Sequence, residues 1–519
     1  MSSRPSDAYT TPTGIRTANL LLVSLAVLKI VIQFAGINRY GFFRDEFYYM
    51  ACGDHLAWGY VDQPPFIAFI AWLVKHTLGD SMFAIRLLPV LAGAATVYLT
   101  GRVARELGGG VFAQFLAAAA ILFAPIFLAF DSFFSMNAFE PLFWLLCAWI
   151  AIRNANGASP KLWIAFGFVA GIGLLNKHTM LAFGFALVAG LLLTPQRKLL
   201  ASKWIWIGGA IALAIFLPNL IWEATHGWPQ VEVVRNGQAF KIVRLSPVQF
   251  LFEQVLFMQP IALPLWLAGL YWYFFDEEGK RMRFLGWTYL FILAIVMLLD
   301  GKTYYVVPIY PVLMAAGGVV AEKFLVAPKF NWARVAYACI LLLAGLITVP
   351  FGVPILSVKN FIWYSSKLPY ARSVKTEVDT PVELPQLYAD MFGWPEVAKT
   401  ISKVYYSIPG DERPSCAILA GNYGEAGAID YYGKKYGLPK AISGHNSHYY
   451  WGPGEYTGSC VIIFGDNSSD YIKLFGDVRE AATIYSPHAA PSEQNVKVYI
   501  CRKPVAPLSQ LWPHFKMII

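Results

Sequence analysis

About eleven apolar runs, most of them close to bilayer length, leave this chain few ways to fold. They lie at 18–36, 82–100, 111–129, 138–152, 162–175, 179–194, 204–222, 249–274, 284–299, 304–321 and 335–356. A helical span needs roughly 20 mostly apolar residues, and a helix satisfies its own backbone polar groups in hydrocarbon. Charge content agrees. Only 14% of the 519 residues are charged and 57% are hydrophobic, whereas a soluble globular chain carries about 25% charged residues. The fold class expected is therefore a polytopic α-helical membrane protein. Its first run is long for a signal-peptide core, and no small-x-small cleavage site follows, so it reads as a retained span. Residues 66–76, FIAFIAWLVKH, are too short to span and suit an interfacial helix.

The net charge is +9, but no block of basic residues suggests nucleic acid. Where Lys and Arg fall matters more. With the N-terminus in the cytoplasm, the short cytoplasmic loops, from Arg4 and Arg16 to Lys329 and Arg334, hold about fifteen Lys and Arg, against about eight outside. An odd number of spans then puts the C-terminal part on the outer side. That arrangement suggests the bacterial inner membrane, with the domain in the periplasm. The six cysteines show no CxxC pair and no metal-ligand spacing, so no cofactor is indicated, and a divalent metal stays open without support. Cys52, Cys416, Cys460 and Cys501 fall outside, where disulfides form; their pairing does not follow from the sequence.

Composition shifts near residue 357. Apolar runs shorten while Pro, Gly, Asp, Asn and Ser rise. Short apolar segments at 415–420, 459–464 and 496–500 read as strands, with helices expected at 425–436 and 470–481. The chain thus divides into a membrane domain, 1–356, and an extracytoplasmic α/β domain, 357–519.

The polar residues that accompany the spans gather on the expected outer face. Arg44, Asp45 and Glu46 form a charged triplet among aromatics after the first span. Such a triplet at a membrane boundary is either a solvated loop or a site. A carboxylate there suits a general base for a hydroxyl or amine acceptor, and Arg44 suits pairing with it or holding an anion. The segment Gly59-Tyr60-Val61-Asp62-Gln63-Pro64-Pro65 follows; Pro-Pro alone also accounts for it as a rigid helix entry. In 300–311, DGKTYYVVPIYP, Lys302 sits beside Tyr304 at a helix start. A cation there is unfavourable for the helix dipole unless an anion is bound, although an aromatic-belt lysine reads the same way. Asn176-Lys177-His178 makes a tight outer turn. The turn FDSFFSMNAFEP offers Asp131, Asn137 and Glu140 for acceptor or sugar contacts, with Ser135 or Asn137 equally suited to capping the next helix. In the outer domain, Asn422 and Glu425 follow a strand. Aromatics mixed with His, Asn and Glu at 443–455 suit sugar faces or loop packing.

The order of these pieces carries a resemblance. An N-terminal span, the Asp45-Glu46 loop, G-Y-x-x-x-P-P, Arg86 in AIRLLPVLAG, the turn before the fourth span, and K-x-Y-Y-V-V-P-I-Y-P resemble the polyprenyl-phosphate-sugar-dependent glycosyltransferases of the GT-C superfamily. The protein O-mannosyltransferases of family 39 and the lipid A aminoarabinose transferase are the nearest groups, and residues 15–355 carry the likeness. The resemblance implies an inverting sugar transfer at the outer face, from a polyprenyl-phosphate-linked donor to an extracytoplasmic lipid, glycan or protein. It implies Asp45 as catalytic base and Glu46 as its partner. Arg44, Gln63, Arg86, Lys177, Lys302 and Tyr304 would lie at the donor phosphate and sugar. Asp62, Asp131, Asn137, Glu140, Asn422 and Glu425 would be acceptor contacts. The aminoarabinose transferase has Lys where this chain has Gln63, and many relatives have Asp where it has Asn137. A transporter or flippase of a lipid-linked substrate is the competing reading. It is disfavoured because polar groups crowd one face and no repeat is evident.

Overall fold

The computed structural model describes residues 12–325, 328–368 and 383–519; Arg4 lies outside them. All eleven apolar runs are helical. They correspond to α1 (Pro12–Gly36), α4 (Met82–Glu106), α5 with α6 (Val111–Leu122, Pro125–Phe130), α7 (Met136–Ala155), α8 (Leu162–Asn176) and α9 (Thr179–Leu192), with α2 (Arg44–Asp54) and α3 (Phe66–Thr77) between the first two. There follow α10 (Lys203–Thr225), α11 (Pro229–Asn236), α12 and α13 (Pro247–Phe257, Leu263–Phe275), α14 (Arg283–Leu298), α15 (Tyr310–Leu325) and α16 (Asn331–Gly352). Among the described residues, six helices are long and apolar enough to cross a membrane, or eight if two bent pairs each count as one span. Prolines explain the breaks. Pro125 opens α6 and Pro260 follows the 98° bend after α12, because proline lacks an N–H and clashes with the preceding turn.

Small residues set close helix contacts. In the α8–α10 pair, a Cβ on Gly167 would meet the Gly208 backbone, and one on Gly208 would meet the Trp163 carbonyl. Without a hydrophobic force between helices in lipid, such close backbone approach is the main source of association.

Residues 358–519 continue with α17 (Val358–Ser366), α18 (Gln386–Ala389), α19 (Trp394–Ser407), β1 (Cys416–Ala420), α20 (Tyr423–Tyr432), β2 (Ile442–Ser443), α21 (Ser447–Trp451), β3 (Cys460–Phe464), β4 (Phe475–Ile484) and β5 (Val496–Pro504). The sheet order is β2-β1-β3-β5-β4. β1 is parallel to β2 and β3, while β5 is antiparallel to β3 and β4. The helix expected at 470–481 is corrected. Only Ser468–Leu474 is helical, and Phe475–Ile484 is the edge strand β4. Its pairing with β5 overrides a sequence with weak strand preference, as tertiary context commonly does. Cys416 and Cys460 face each other across β1 and β3 and form a disulfide.

Candidate functional site

Helix α2 carries the charged triplet and lies between the membrane helices and the sheet domain. Its Phe47, Tyr48 and Tyr49 are buried in one apolar cluster with Ile67 of α3, Phe134 from the turn before α7, and Trp394 and Tyr423 of the C-terminal part. The two carboxylates of the triplet have opposite fates. Glu46 is the third residue of the helix and fully buried. It accepts the Phe43 N–H at 2.7 Å, which satisfies a helix-end donor. It also accepts the Phe134 N–H at 2.8 Å and both Nε and Nη2 of Arg86, at 2.9 and 2.6 Å. Arg86 gives its remaining bonds to the Ile37 and Gly41 carbonyls. Both side chains are fully buried. The pair ties α1, α2, α4 and the turn before α7 together, and breaking such a buried pair leaves an uncompensated charge.

Asp45 turns the other way. Its side chain is 28% exposed. Its Oδ1 accepts the Tyr423 hydroxyl at 2.8 Å, and Arg44 Nε lies 3.8 Å from the same oxygen. Arg44 also faces Asp390 at 3.7 Å. Beneath Asp45, Asp62 accepts the Tyr48 hydroxyl at 2.6 Å. Burial pushes the Asp62 carboxyl up to about 6; the Tyr48 bond opposes the shift and the Asp45 charge adds to it. The Tyr48 hydroxyl also lies 2.7 Å from Ser447 Oγ, which accepts the Val61 N–H.

A second group of polar residues surrounds the Asn176-Lys177-His178 turn. Lys177 donates to Asn137 Oδ1 at 2.8 Å and to Glu140 Oε2 at 2.9 Å, and Thr179 donates to the other Glu140 oxygen. His178 bonds Asn219, which in turn donates to the Trp58 carbonyl. The Lys177 ammonium lies 4.5 Å from the Tyr305 ring centre and 5.5 Å from that of Tyr304. Lys302 reaches the same Tyr304 ring at 5.9 Å. Lys302, Tyr304 and Arg244 line a small cleft.

Several expected site residues are employed elsewhere. Gln63 is fully buried, with its amide 3.6 Å from Cys52 Sγ. Asp131 is buried against Lys29 of α1 at 2.8 Å. Asn422 and Glu425 cap α20 reciprocally, side chain to backbone. Asn422 also donates to Glu493 and Asp466. Ser135, a candidate cap for α7, makes no capping bond. Among the described residues, no group of three or more His, Cys, Asp or Glu side chains is placed to hold a metal ion.

Sequence reasoning passed over Tyr48, Tyr423, Ser447 and Lys29. Lys29 left a signal, being a single charge in the middle of an apolar helix. The tyrosines left none, because buried tyrosine is common in aromatic-rich chains.

Residues 62–222 match the family model of dolichyl-phosphate-mannose-protein mannosyltransferase. No curated protein matches. Among solved structures, the chain is similar to ArnT from Cupriavidus metallidurans bound to undecaprenyl phosphate, at 14% identity and TM-score 0.61, covering 94% of this chain and 98% of that one. The apo state of ArnT gives 14% identity and TM-score 0.59 over 92% and 97%. The oligosaccharyltransferase of Archaeoglobus fulgidus tethered with an acceptor peptide gives 13% and 0.51 over 78% and 62%. The architecture is the multi-pass GT-C fold, resembling family 39.

Proposed function

We propose that this chain is a membrane glycosyltransferase that moves a sugar from a polyprenyl-phosphate donor to an acceptor at the outer membrane face. The reading is carried by the contrast within the triplet. Glu46 is committed to Arg86 and two backbone donors, whereas Asp45 stays partly exposed, held by one oxygen only. The likeness to ArnT bound to undecaprenyl phosphate and the mannosyltransferase family match support a lipid-linked donor.

In the proposed step, an acceptor hydroxyl or amine attacks the anomeric carbon from the face opposite the phosphate. Asp45 takes its proton as the new bond forms. The bond from the anomeric carbon to the phosphate oxygen breaks, and the polyprenyl phosphate leaves with the electron pair. Lys302, which lines the cleft, is the cation assigned to stabilise charge developing on that phosphate. Lys177, neutralised by Glu140, instead supports the tyrosines beneath it. The disulfide of the sheet domain agrees with an oxidising compartment, and hence with a periplasmic location.

The test is mass spectrometry of lipid-linked sugars and surface glycans in host cells lacking the gene, complemented with wild type, Asp45→Asn or Lys302→Ala. Asp45→Asn should be present at wild-type levels yet lose one glycan modification while its polyprenyl-phosphate sugar persists or accumulates. Lys302→Ala should lower transfer about 100-fold, as loss of one charge-stabilising group does. A wild-type glycan profile from Asp45→Asn overturns the base assignment.

A further inference from the structure

We propose that Tyr423, on the C-terminal sheet domain, is a positioning residue for the transfer step, holding Asp45 so that its free oxygen faces the acceptor. The inference rests on the glycosyltransferase reading. Both close polar neighbours of Asp45, Tyr423 Oη at 2.8 Å and Arg44 Nε at 3.8 Å, lie on Oδ1. Among the described residues, Oδ2 has no hydrogen-bond partner. A carboxylate held by one oxygen presents the other in a single direction, and such orientation is much of what a general base contributes.

Tyr423 is itself held on every side. Its ring stacks on Tyr48 at 4.6 Å between centres and on His445 at 4.4 Å. Its N–H donates to His445 Nδ1 at 3.3 Å. That bond requires a neutral imidazole with its proton on Nε2. Burial, reinforced by the positive charges of Lys241 and Arg44, pushes the His445 ring well below its ordinary range, so it stays neutral. One residue back, Asn422 caps α20 and anchors it to Glu493 and Asp466. Glycines let α20 reach α2. A Cβ on Gly424 would strike the Arg44 side chain, and one on Gly427 would strike Phe47.

Tyr48 cannot take over this role. Its hydroxyl proton goes to Asp62, and it also bonds Ser447. Two stacked tyrosines thus serve two carboxylates, one each. The Tyr48–Asp62 pair belongs to α2 and the loop that follows it; the pair holding Asp45 exists only because the C-terminal domain supplies Tyr423.

Removing the Tyr423 hydroxyl should cost Asp45 its fixed orientation. The charged and titratable groups that face Asp45 are Arg44 and Tyr49 on α2, Asp62 on the following loop and Tyr423 on α20. Tyr423→Phe leaves the first three in place and keeps the ring stack. In purified full-length protein assayed with extracted polyprenyl-phosphate sugar, it should lower kcat about 10- to 100-fold with little change in donor KM. In the Asp45→Asn background the same substitution should lower the residual transfer no further, as expected of a residue that acts through Asp45.

Should Tyr423→Phe not fold, 3,5-difluorotyrosine at position 423 keeps ring and hydroxyl while donating more strongly. It should move the infrared carboxylate band of Asp45, assigned by subtracting Asp45→Asn, relative to wild type. An unchanged kcat in folded Tyr423→Phe, or an unmoved Asp45 band in either folded variant, overturns the proposal. Absence of transfer by the wild type would instead overturn the glycosyltransferase reading, and the Asp45 band then decides the Tyr423 bond separately.

Discussion

Asp62 shows what a buried carboxylate costs and what it offers. Its carboxyl titrates near 6, above its ordinary 3.8, chiefly because burial disfavours the charge. The sign follows. The folded chain binds this proton more tightly than the unfolded one, so stability falls as pH rises from about 4 to about 6 and the penalty is complete above that. Asp62→Asn removes the charge yet keeps an oxygen for the Tyr48 hydroxyl. The melting temperature of detergent-solubilised Asp62→Asn should match wild type near pH 4 and exceed it above pH 6. Equal melting temperatures at pH 8 would mean that Asp62 is solvated. The sequence had suggested Asp45 as base, Glu46 as its partner and Asp62 as an acceptor contact. Burial separates them into a base candidate, a structural anchor and a strained neighbour. The Glu46–Arg86 pair makes the same point from the other side, since Glu46→Gln should cost about 3–5 kcal/mol of stability by leaving Arg86 charged and unpaired. Thermal unfolding of Glu46→Gln measures it, and a wild-type midpoint would remove Glu46 from the scaffold.

At the scale of elements, glycines and prolines decide geometry that hydropathy leaves free. Gly208 and Gly209 are neighbours on α10 with similar sequence surroundings. A Cβ at 208 meets the Trp163 carbonyl, whereas at 209 it meets open space. Gly208→Ala should destabilise by about 1–3 kcal/mol through overpacking. Gly209→Ala should be neutral or stabilise by up to about 1 kcal/mol, the helix-propensity gain. Thermal unfolding of the two single variants checks the contrast, and equal effects would refute the close α8–α10 contact. The apolar periodicity that announced these helices is blind to which of two adjacent glycines faces a partner.

Across the whole molecule, the sheet domain packs on α2 and sets Tyr423 against Asp45. Its own framework includes the Cys416–Cys460 disulfide, which closes a loop of sequence separation 44. Removing both cysteines should cost about 2–4 kcal/mol of domain stability, read as a lower melting temperature in full-length protein under non-reducing conditions. Sidedness is testable on the same chain. A cysteine placed at exposed Glu455 should react with a membrane-impermeant maleimide in intact spheroplasts. One placed at Glu277, 82% exposed in the opposing set of loops, should react only after permeabilisation. The reverse pattern would invert the topology and move the proposed reaction to the cytoplasmic face.

Hydropathy by itself determined the helical spans, because a backbone in lipid has few other ways to satisfy its hydrogen bonds. The order of the motifs pointed to the GT-C fold, and short apolar runs located β1, β3 and β5. Asp45 and Lys302 were legible because charges at a membrane boundary need a reason. What each charge does was decided only by tertiary structure. Arg86 and Glu46 neutralise each other, Asp131 meets Lys29 and Asn422 turns inward to cap a helix, all through contacts between distant segments. The bond from Tyr423 to Asp45 joins residues 378 positions apart. No local pattern encodes such a pair, because its geometry comes from packing the sheet domain onto α2.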